Sequence, residues 1–496
     1  MALSTKLCSF RYSTKLCFLL FAFLFTSCKK FIDVPPPSTQ LVTASVFNNN
    51  ATATSAVTYI YTQMFNNQES ENMAGKNGQL ADELTTHDIS INDASYLFYT
   101  NALTSRDAIE FWQNAYSYIF QANAVISGLQ QYAGTSPAVK QQLIGEAYFI
   151  RAFWHFYLTN CYGAVPVVLT TDYTITDRLS RTPRPQVLQQ VVNDLTTAEG
   201  LLSSNYVDGS DTIVTPDRVR PNKAVAEALL ARAYLYLGDY SGNSQTDDYQ
   251  QAEKYASMVI NNSAYSLCTN LSGPNSVFLA NSSEAIWQLD TPLPSNYDTL
   301  DGEYFVLLAA PSNGGNGSNT ISPELLNAFE SGDQRNTNWV GKITVNGTTY
   351  YFPYKYKQYT YTGTEYTMVL RLAEQYLIRA EAKAELGDTT AINDLNAIRN
   401  RAGLANYSGA SDKVSLLTAI LHERQVELFT EWGQRWIDLN RAAQNNPTGV
   451  NISNIMGSPG NVCKTKGGSW SSYKQLYPIQ LNELKADVNL TQNPGY

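Results

Sequence analysis

Residues 223–239 read KAVAEALLARAYLYLGD, and residues 376–388 read YLIRAEAKAELGD. Both are dense in Ala and Leu, the strongest helix formers, and free of β-branched runs. Both end on Leu-Gly-Asp, which predicts a turn and the cap of a second helix. Partners follow each copy, around Ala252 and Ala256 in the first and from Ala391 to Arg401 in the second. Small residues let two helices approach closely, as in tetratricopeptide helix hairpins. The copies lie much further apart than the roughly 34 residues of a tandem array, so the pattern predicts a compact helical body interrupted by long loops.

Working outward, Leu143, Ala147, Ile150, Trp154 and Leu158 recur at helical spacing between Ala138 and Tyr162. Phe149, Phe153, Phe156 and Tyr157 make that helix apolar nearly all round, hence buried. Gly163 ends it, and Val165–Leu169 leaves in extended form. Thr182-Pro183-Arg184-Pro185 opens another helix, with Val187, Val191, Leu195, Ala198 and Leu202 on one stripe. A further helix is expected over Asp248–Asn261. Trp112, Trp154, Trp287, Trp432 and Trp436 fall in periodic segments and read as core. Residues 66–106 and 262–370 lack sustained helical periodicity and read as long loops, which in a compact domain are functional. Within the second, Asn346-Gly347 marks a small hairpin.

At 496 residues, length allows about three domains or one large globule. The net charge of −9, with no Lys/Arg run, excludes a nucleic-acid partner. Charged residues make up only 16%, against 33 Tyr, which suits uncharged hydroxyl-rich ligands. Residues 1–27 carry Lys6, Arg11 and Lys15, then the apolar run Leu16–Phe25, then Thr26-Ser27-Cys28. This is a secretory signal, too short to span a bilayer, and Cys28 sits where a lipoprotein is acylated. Phe25 departs from the Leu usual in that motif. The Pro-rich 29–39 stretch reads as a tether, and 28–44 as anchor plus tether. Cys161, Cys268 and Cys463 remain, an odd number read as buried free thiols rather than a disulfide framework.

Catalytic patterns are absent. His87, His155 and His422 lack zinc spacing, and no GxSxG, P-loop or GxGxxG stands in context. Two carboxylates could serve a glycosidase, but Asp82-Glu83 and Asp247-Asp248 read as solvated or capping acids. No metal site or cofactor is expected beyond a covalent lipid on Cys28.

Several blocks in order resemble one family. They are FIDVPP (31–36), GEAYFIRAFWHFYLTNCYGAVPVVL (145–169), LSRTPRPQVLQQVVNDL (179–195) and RPNKAVAEALLARAYLYLGDY (220–240). NSSEAIWQL (281–289), LRLAEQYLIRAEAKAELGD (370–388), AINDLNAIRNRAGL (391–404), ILHERQVELFTEWGQRWIDLNR (420–441) and YPIQLNELKADVNLTQNPGY (477–496) complete them. Together they are similar to the RagB/SusD nutrient-uptake lipoproteins of Bacteroidetes outer membranes. The resemblance implies a mostly α fold, a single SusD-like globule with tetratricopeptide-like helical hairpins and a long loop-built binding face. It divides the chain into a signal peptide (1–27), anchor and tether (28–44), an N-terminal SusD-like helical region (45–268) and a C-terminal RagB/SusD region (269–496) of the same globule. It implies binding, not catalysis: a lipid-anchored protein facing outward from the outer membrane. Such a protein captures oligosaccharides or polysaccharides, in some branches peptides, for a SusC-like TonB-dependent transporter. Arg151, Arg232, Arg379, Glu381, Arg399, Glu423, Arg424, Glu427 and Arg435 fall inside these blocks and read as ion pairs locking buried helices.

Ligand residues do not transfer by motif. Sugars present C–H faces rimmed by hydroxyls, which call for exposed aromatic platforms beside amides or charges. On that basis the candidates are Tyr96, Phe98 and Tyr99 amid Asn92, Asp93 and Asn101; Asn296, Tyr297, Asp298 and Tyr304; and Arg335 with Trp339. Peptide capture on the same scaffold, or a periplasmic glycoside hydrolase or scaffold, are the alternatives.

Overall fold

The computed structural model describes residues 43–87, 94–107, 110–240, 245–312, 317–444 and 459–496. The signal, Cys28 and most of the tether lie outside these residues. Among the described residues no helix is long and apolar enough to cross a membrane.

Helices stack in chain order within the unit Phe47–Tyr496. Phe111–Gln131 packs on Pro137–Tyr162, which packs on Arg184–Leu201, then Lys223–Tyr240, then Gln245–Ile260. The next layer is Leu372–Glu385, followed by Ala391–Arg401 and Lys413–Leu428. The two Leu-Gly-Asp hairpins, distant in sequence, are therefore neighbours in one continuous array. Between them the chain leaves through β2 (Ala285–Leu289) and returns through β6 (Thr367–Arg371), an antiparallel pair. That pair closes the base of a long excursion that carries most of the loops.

The Leu-Gly-Asp copies differ in detail. Gly387 has φ +77°, and Asp388 caps the next turn through Thr390 N–H at 2.8 Å, as the motif predicts. Gly238-Asp239 instead lies inside the Lys223–Tyr240 helix. A Cβ on Gly238 would stand 2.5 Å from the Tyr249 ring, and the Tyr249 hydroxyl donates to Asp239 at 2.9 Å. There the glycine is required by close approach, not by a turn.

Pro137–Tyr162 is buried continuously from Phe149 onward. Phe153 lies at its centre, with Trp154, Trp287 and Trp432 rings at 5.2, 5.4 and 5.3 Å. All five tryptophans read as core are buried, as are the three free cysteines. The charges of the sequence blocks pair inside the body. Arg151 meets Asp194 at 2.6 Å, and Arg232 meets Glu374 at 2.7 Å. Glu427 is shared by Arg335, Arg371 and Arg401.

Two expectations fail here. Residues 66–106 are not one loop, because Glu69–Leu80 and Ala94–Tyr99 are helices. Ten of the twelve residues of the first are buried, so no polar–apolar alternation marks it. Several of its polar groups pair inside: Glu69 accepts from Asn114 and Tyr118 at 2.9 and 3.0 Å, Asn77 from Tyr477 at 2.9 Å, and Gln79 donates to Asn319 at 2.8 Å. Asp82 and Glu83 are likewise buried rather than solvated or capping. Asp82 holds Arg435 at 2.7 Å, whereas burial pushes the Glu83 carboxyl up to about 8.

Candidate functional site

The binding face predicted from the loops is organised by two short strand pairs. β1 (Leu84–Thr86) runs antiparallel to β3 (Asn319–Ile321), and backbone bonds extend the pairing on both sides. Ser322 N–H donates to Glu83 at 2.9 Å, and His87 N–H donates to Ser318 at 2.7 Å. β4 (Val340–Val345) and β5 (Thr348–Pro353) form the expected hairpin, with Asn346 and Gly347 both at positive φ, +50° and +82°. Those signs are what a two-residue turn matched to strand twist demands. β5 packs against β3, so the hairpin lies beside the first pair.

Alternation along β5 sorts the aromatics. Phe352 is buried with Val306 and Leu307, and half-buried Ile343, Tyr350, Tyr354 and Tyr359 pack around it. Tyr351 stands 39% exposed, Tyr361 42% and Leu308 66%. The His87 ring is edge-on to Tyr350 at 5.8 Å, its Nε2 3.0 Å from the Thr320 hydroxyl. Partial burial lowers the His87 pKa, so the ring is neutral at pH 7. Tyr304 joins the pairs, its hydroxyl accepting from Asn319 at 2.9 Å. The face thus offers ring surfaces, hydroxyls and neutral amides. Among the described residues no cluster of His, Cys, Asp or Glu could hold a metal ion.

Of the five remaining sequence candidates, Tyr304 bonds to Asn319 of β3, and Tyr96 and Tyr99 belong to the Ala94–Tyr99 helix that packs on β1. Asn296 is exposed, and Tyr96, Tyr99, Tyr297 and Tyr304 are half-buried. Tyr297 stacks on Phe65 at 6.3 Å, and Lys466 sits 4.9 Å over the Tyr99 ring. Asn92, Asp93 and the Gly-rich 313–316 stretch lie outside the described residues.

Four candidates are not platforms. Phe98 is 1% exposed and packs edge-on against Tyr477 at 5.4 Å. Trp339 is fully buried: its Nε1–H donates to Leu271 at 2.9 Å, Phe278 packs against it at 5.5 Å, and Lys355, Arg371 and Arg401 lie 4.9, 5.8 and 5.5 Å from the ring. Arg335 is equally buried, held by Asp333 at 2.8 Å, Glu423 at 2.6 Å and Glu427 at 2.9 Å. The Asp298 carboxylate accepts from the N–H groups of Thr362, Gly363, Thr364 and Glu365 at 2.5, 2.6, 2.9 and 3.0 Å. It also accepts from the Thr362 and Thr364 hydroxyls at 2.6 and 3.3 Å. Burial works to raise its pKa, but the Thr362 hydroxyl and the N–H groups outweigh that and hold it below the usual carboxylate range. Asp298 is a clamp that fixes one loop to another.

The face residues missed were Tyr350, Tyr351, Tyr354, Tyr359 and Tyr361. Their signal is present: residues 350–361 read YYFPYKYKQYTY, seven aromatics in twelve positions.

A model of the SusD family matches residues 334–496, and one described as "Starch-binding associating with outer membrane" matches 30–235. A SusD-like protein of Formosa agariphila is 26% identical over 78% of this chain and 80% of its own length. The starch-binding protein SusD of Bacteroides thetaiotaomicron is 25% identical over 74% and 75%. Among solved structures, a SusD superfamily protein from Parabacteroides distasonis superposes with TM-score 0.72 at 21% identity, covering 90% of this chain and 98% of its own. A laminarin-binding SusD-like protein gives 0.69 at 23%, covering 90% and 100%. The relatives whose names state a function are binding proteins, not enzymes.

Proposed function

We propose, from the premise that the chain belongs to the SusD family, that it captures oligosaccharides or polysaccharides at the outer membrane surface. The observation that carries this reading is the tyrosine-rich loop face mounted on the helical array. Tyr351 and Tyr361 expose ring surface for the C–H faces of sugars, while Asn296, His87 and the tyrosine hydroxyls supply neutral polar partners. Loops on a fixed scaffold are where binding residues concentrate. Relatives named for starch and laminarin support glucans as the first substrates to try.

In this reading residues 1–27 direct export, Cys28 carries the lipid, and residues 28–44 tether the globule outside the cell. Residues 45–268 and 269–496 act as one body. The bound glycan passes to a SusC-like TonB-dependent transporter. The test is affinity electrophoresis of the purified protein in gels containing starch, laminarin or other plant, fungal and host polysaccharides, confirmed by calorimetry. Retardation by one glycan without hydrolysis is the expected result. Absence of retardation by every glycan, with a folded protein, would refute it.

A further inference from the structure

An open groove of about 990 Å³ lies among the Pro323–Ala328 helix, the 402–409 loop and the Lys413–Leu428 helix, with Val462 and Thr465 also on its wall. That volume is at the upper end of the ~300–1,000 Å³ of small-ligand sites. Its wall is built, not incidental. Arg399 donates to Ala405 at 3.1 Å and to Glu330 at 3.0 Å, and Tyr407 N–H donates to Asn396 at 2.7 Å. The Tyr407 ring lies close over Gly409, where a Cβ would stand 2.2 Å from its hydroxyl.

The groove presents acceptors that the protein leaves unused. Gln425 is buried and donates its Nε2–H to Asp82 at 3.1 Å, while its carbonyl oxygen has no partner among the described residues. His422 Nε2 lies 2.8 Å from the Ala328 carbonyl. A carbonyl only accepts, so Nε2 carries a proton that this bond uses. Two of the wall's carboxylates are matched, Glu330 by Arg399 and Asp82 by Arg435, and Glu324 adds an exposed carboxylate acceptor to the lining. A neutral ligand rich in hydroxyl donors fits this lining. An extended peptide fits it poorly, since among the described residues no strand edge borders the groove.

Asp82 lines the groove, and Thr86 ends β1 at the aromatic face. Four residues span at most about 14 Å, so the two sites are within reach of one glycan chain. We infer that the groove is a second saccharide subsite, distinct from the loop face, and that one chain engages both. This rests on the glycan-capture reading above.

The test compares short and long starch- and laminarin-type oligosaccharides by calorimetry on wild-type protein and on two groove-blocking variants, Thr418→Arg and Asn327→Trp. Thermal unfolding checks that each variant folds. Engagement of two sites by one ligand raises affinity by at least about tenfold over one site, given typical effective concentrations. The expected result is that wild type binds long chains tighter than short ones by that factor and that both variants lose the difference while keeping short-chain affinity. Folded variants that retain full long-chain affinity would overturn the groove and leave glycan capture standing. A wild type that binds neither series but binds a peptide digest would overturn both.

Discussion

Replacing Asp298 by Asn separates a clamp from a ligand residue. The carboxylate Oδ1 accepts Thr362 and Gly363 N–H, and Oδ2 accepts Thr364 and Glu365 N–H. Asparagine keeps one acceptor oxygen and places an NH₂ group against the other pair of donors. Two hydrogen bonds to a charged acceptor are then lost, at about 1.5–3 kcal/mol each, or about 3–6 kcal/mol of local stability. At about 1.4 kcal/mol per tenfold, amide exchange at 362–365 should accelerate by roughly a hundredfold to ten-thousandfold. Hydrogen exchange read by mass spectrometry on peptides covering 361–366 measures this directly. Glucan binding should fall only as far as the 296–308 and 359–363 loops loosen.

The pH dependence has a definite sign. The folded-state pKa of Asp298 is depressed, so its contribution is present above the unfolded value of about 3.9 and is lost as pH falls through the folded value. The protection of this loop, its exchange corrected for the intrinsic pH dependence of amides, should therefore be steady from neutrality down to that range and fall only in stronger acid. Unchanged exchange in Asp298→Asn together with abolished glucan binding would refute the clamp and restore Asp298 as a ligand residue.

Trp339→Ala removes a fully buried indole from a packed cluster and should cost about 3–5 kcal/mol, read by chemical denaturation. A stable variant with selective loss of glucan affinity would instead make Trp339 a platform. Tyr351→Ala should leave stability within about 0.5 kcal/mol, because the side chain is exposed. It should weaken glucan binding by at least about 1 kcal/mol, measured by calorimetry, if it anchors the sugar. Cys28→Ala should move the protein from membrane to soluble fractions by removing the acyl anchor; retention after salt washing would count against lipidation.

Periodic segments are legible because burial follows a single helical stripe, as in 184–201, or because the helix is apolar on every face, as in 138–162. The Glu69–Leu80 helix was not, since its buried faces are polar and their partners, Asn114, Tyr118, Asn319 and Tyr477, come from distant segments. Trp339 misled for a related reason. Its neighbours in sequence, Arg335 and Asn338, suggested a wet surface. In the fold Lys355, Arg371 and Arg401 arrive from elsewhere and lay their charges near the buried ring. Asp298 showed only that it was acidic and in a loop. The turn it binds lies more than sixty residues further on, and no local pattern announces such a partner. The 350–361 aromatic run, in contrast, was readable, and period-two sorting would have split Tyr351 from Phe352.

The excursion between β2 and β6 explains how a loop-built face can sit on a helical body. Because Gln245–Ile260 packs directly on Leu372–Glu385, the helical array is complete without the intervening chain. Loop sequence between the excursion's own helices can then change without breaking that array, although Pro323–Ala328 still packs on Lys413–Leu428. Yet the face must not drift, since ring platforms bind only when held in place. The buried charges answer that need. Glu427 on the Lys413–Leu428 helix pairs with Arg335 from within the excursion, Arg371 from its closing strand and Arg401 from the adjacent helix. Three guanidiniums on one carboxylate bind excursion, strand pair and array into one register, and removing any partner would leave charge buried and unmatched, at about 3–5 kcal/mol. The ion pairs of the sequence blocks therefore act on recognition indirectly, by fixing where the tyrosines stand.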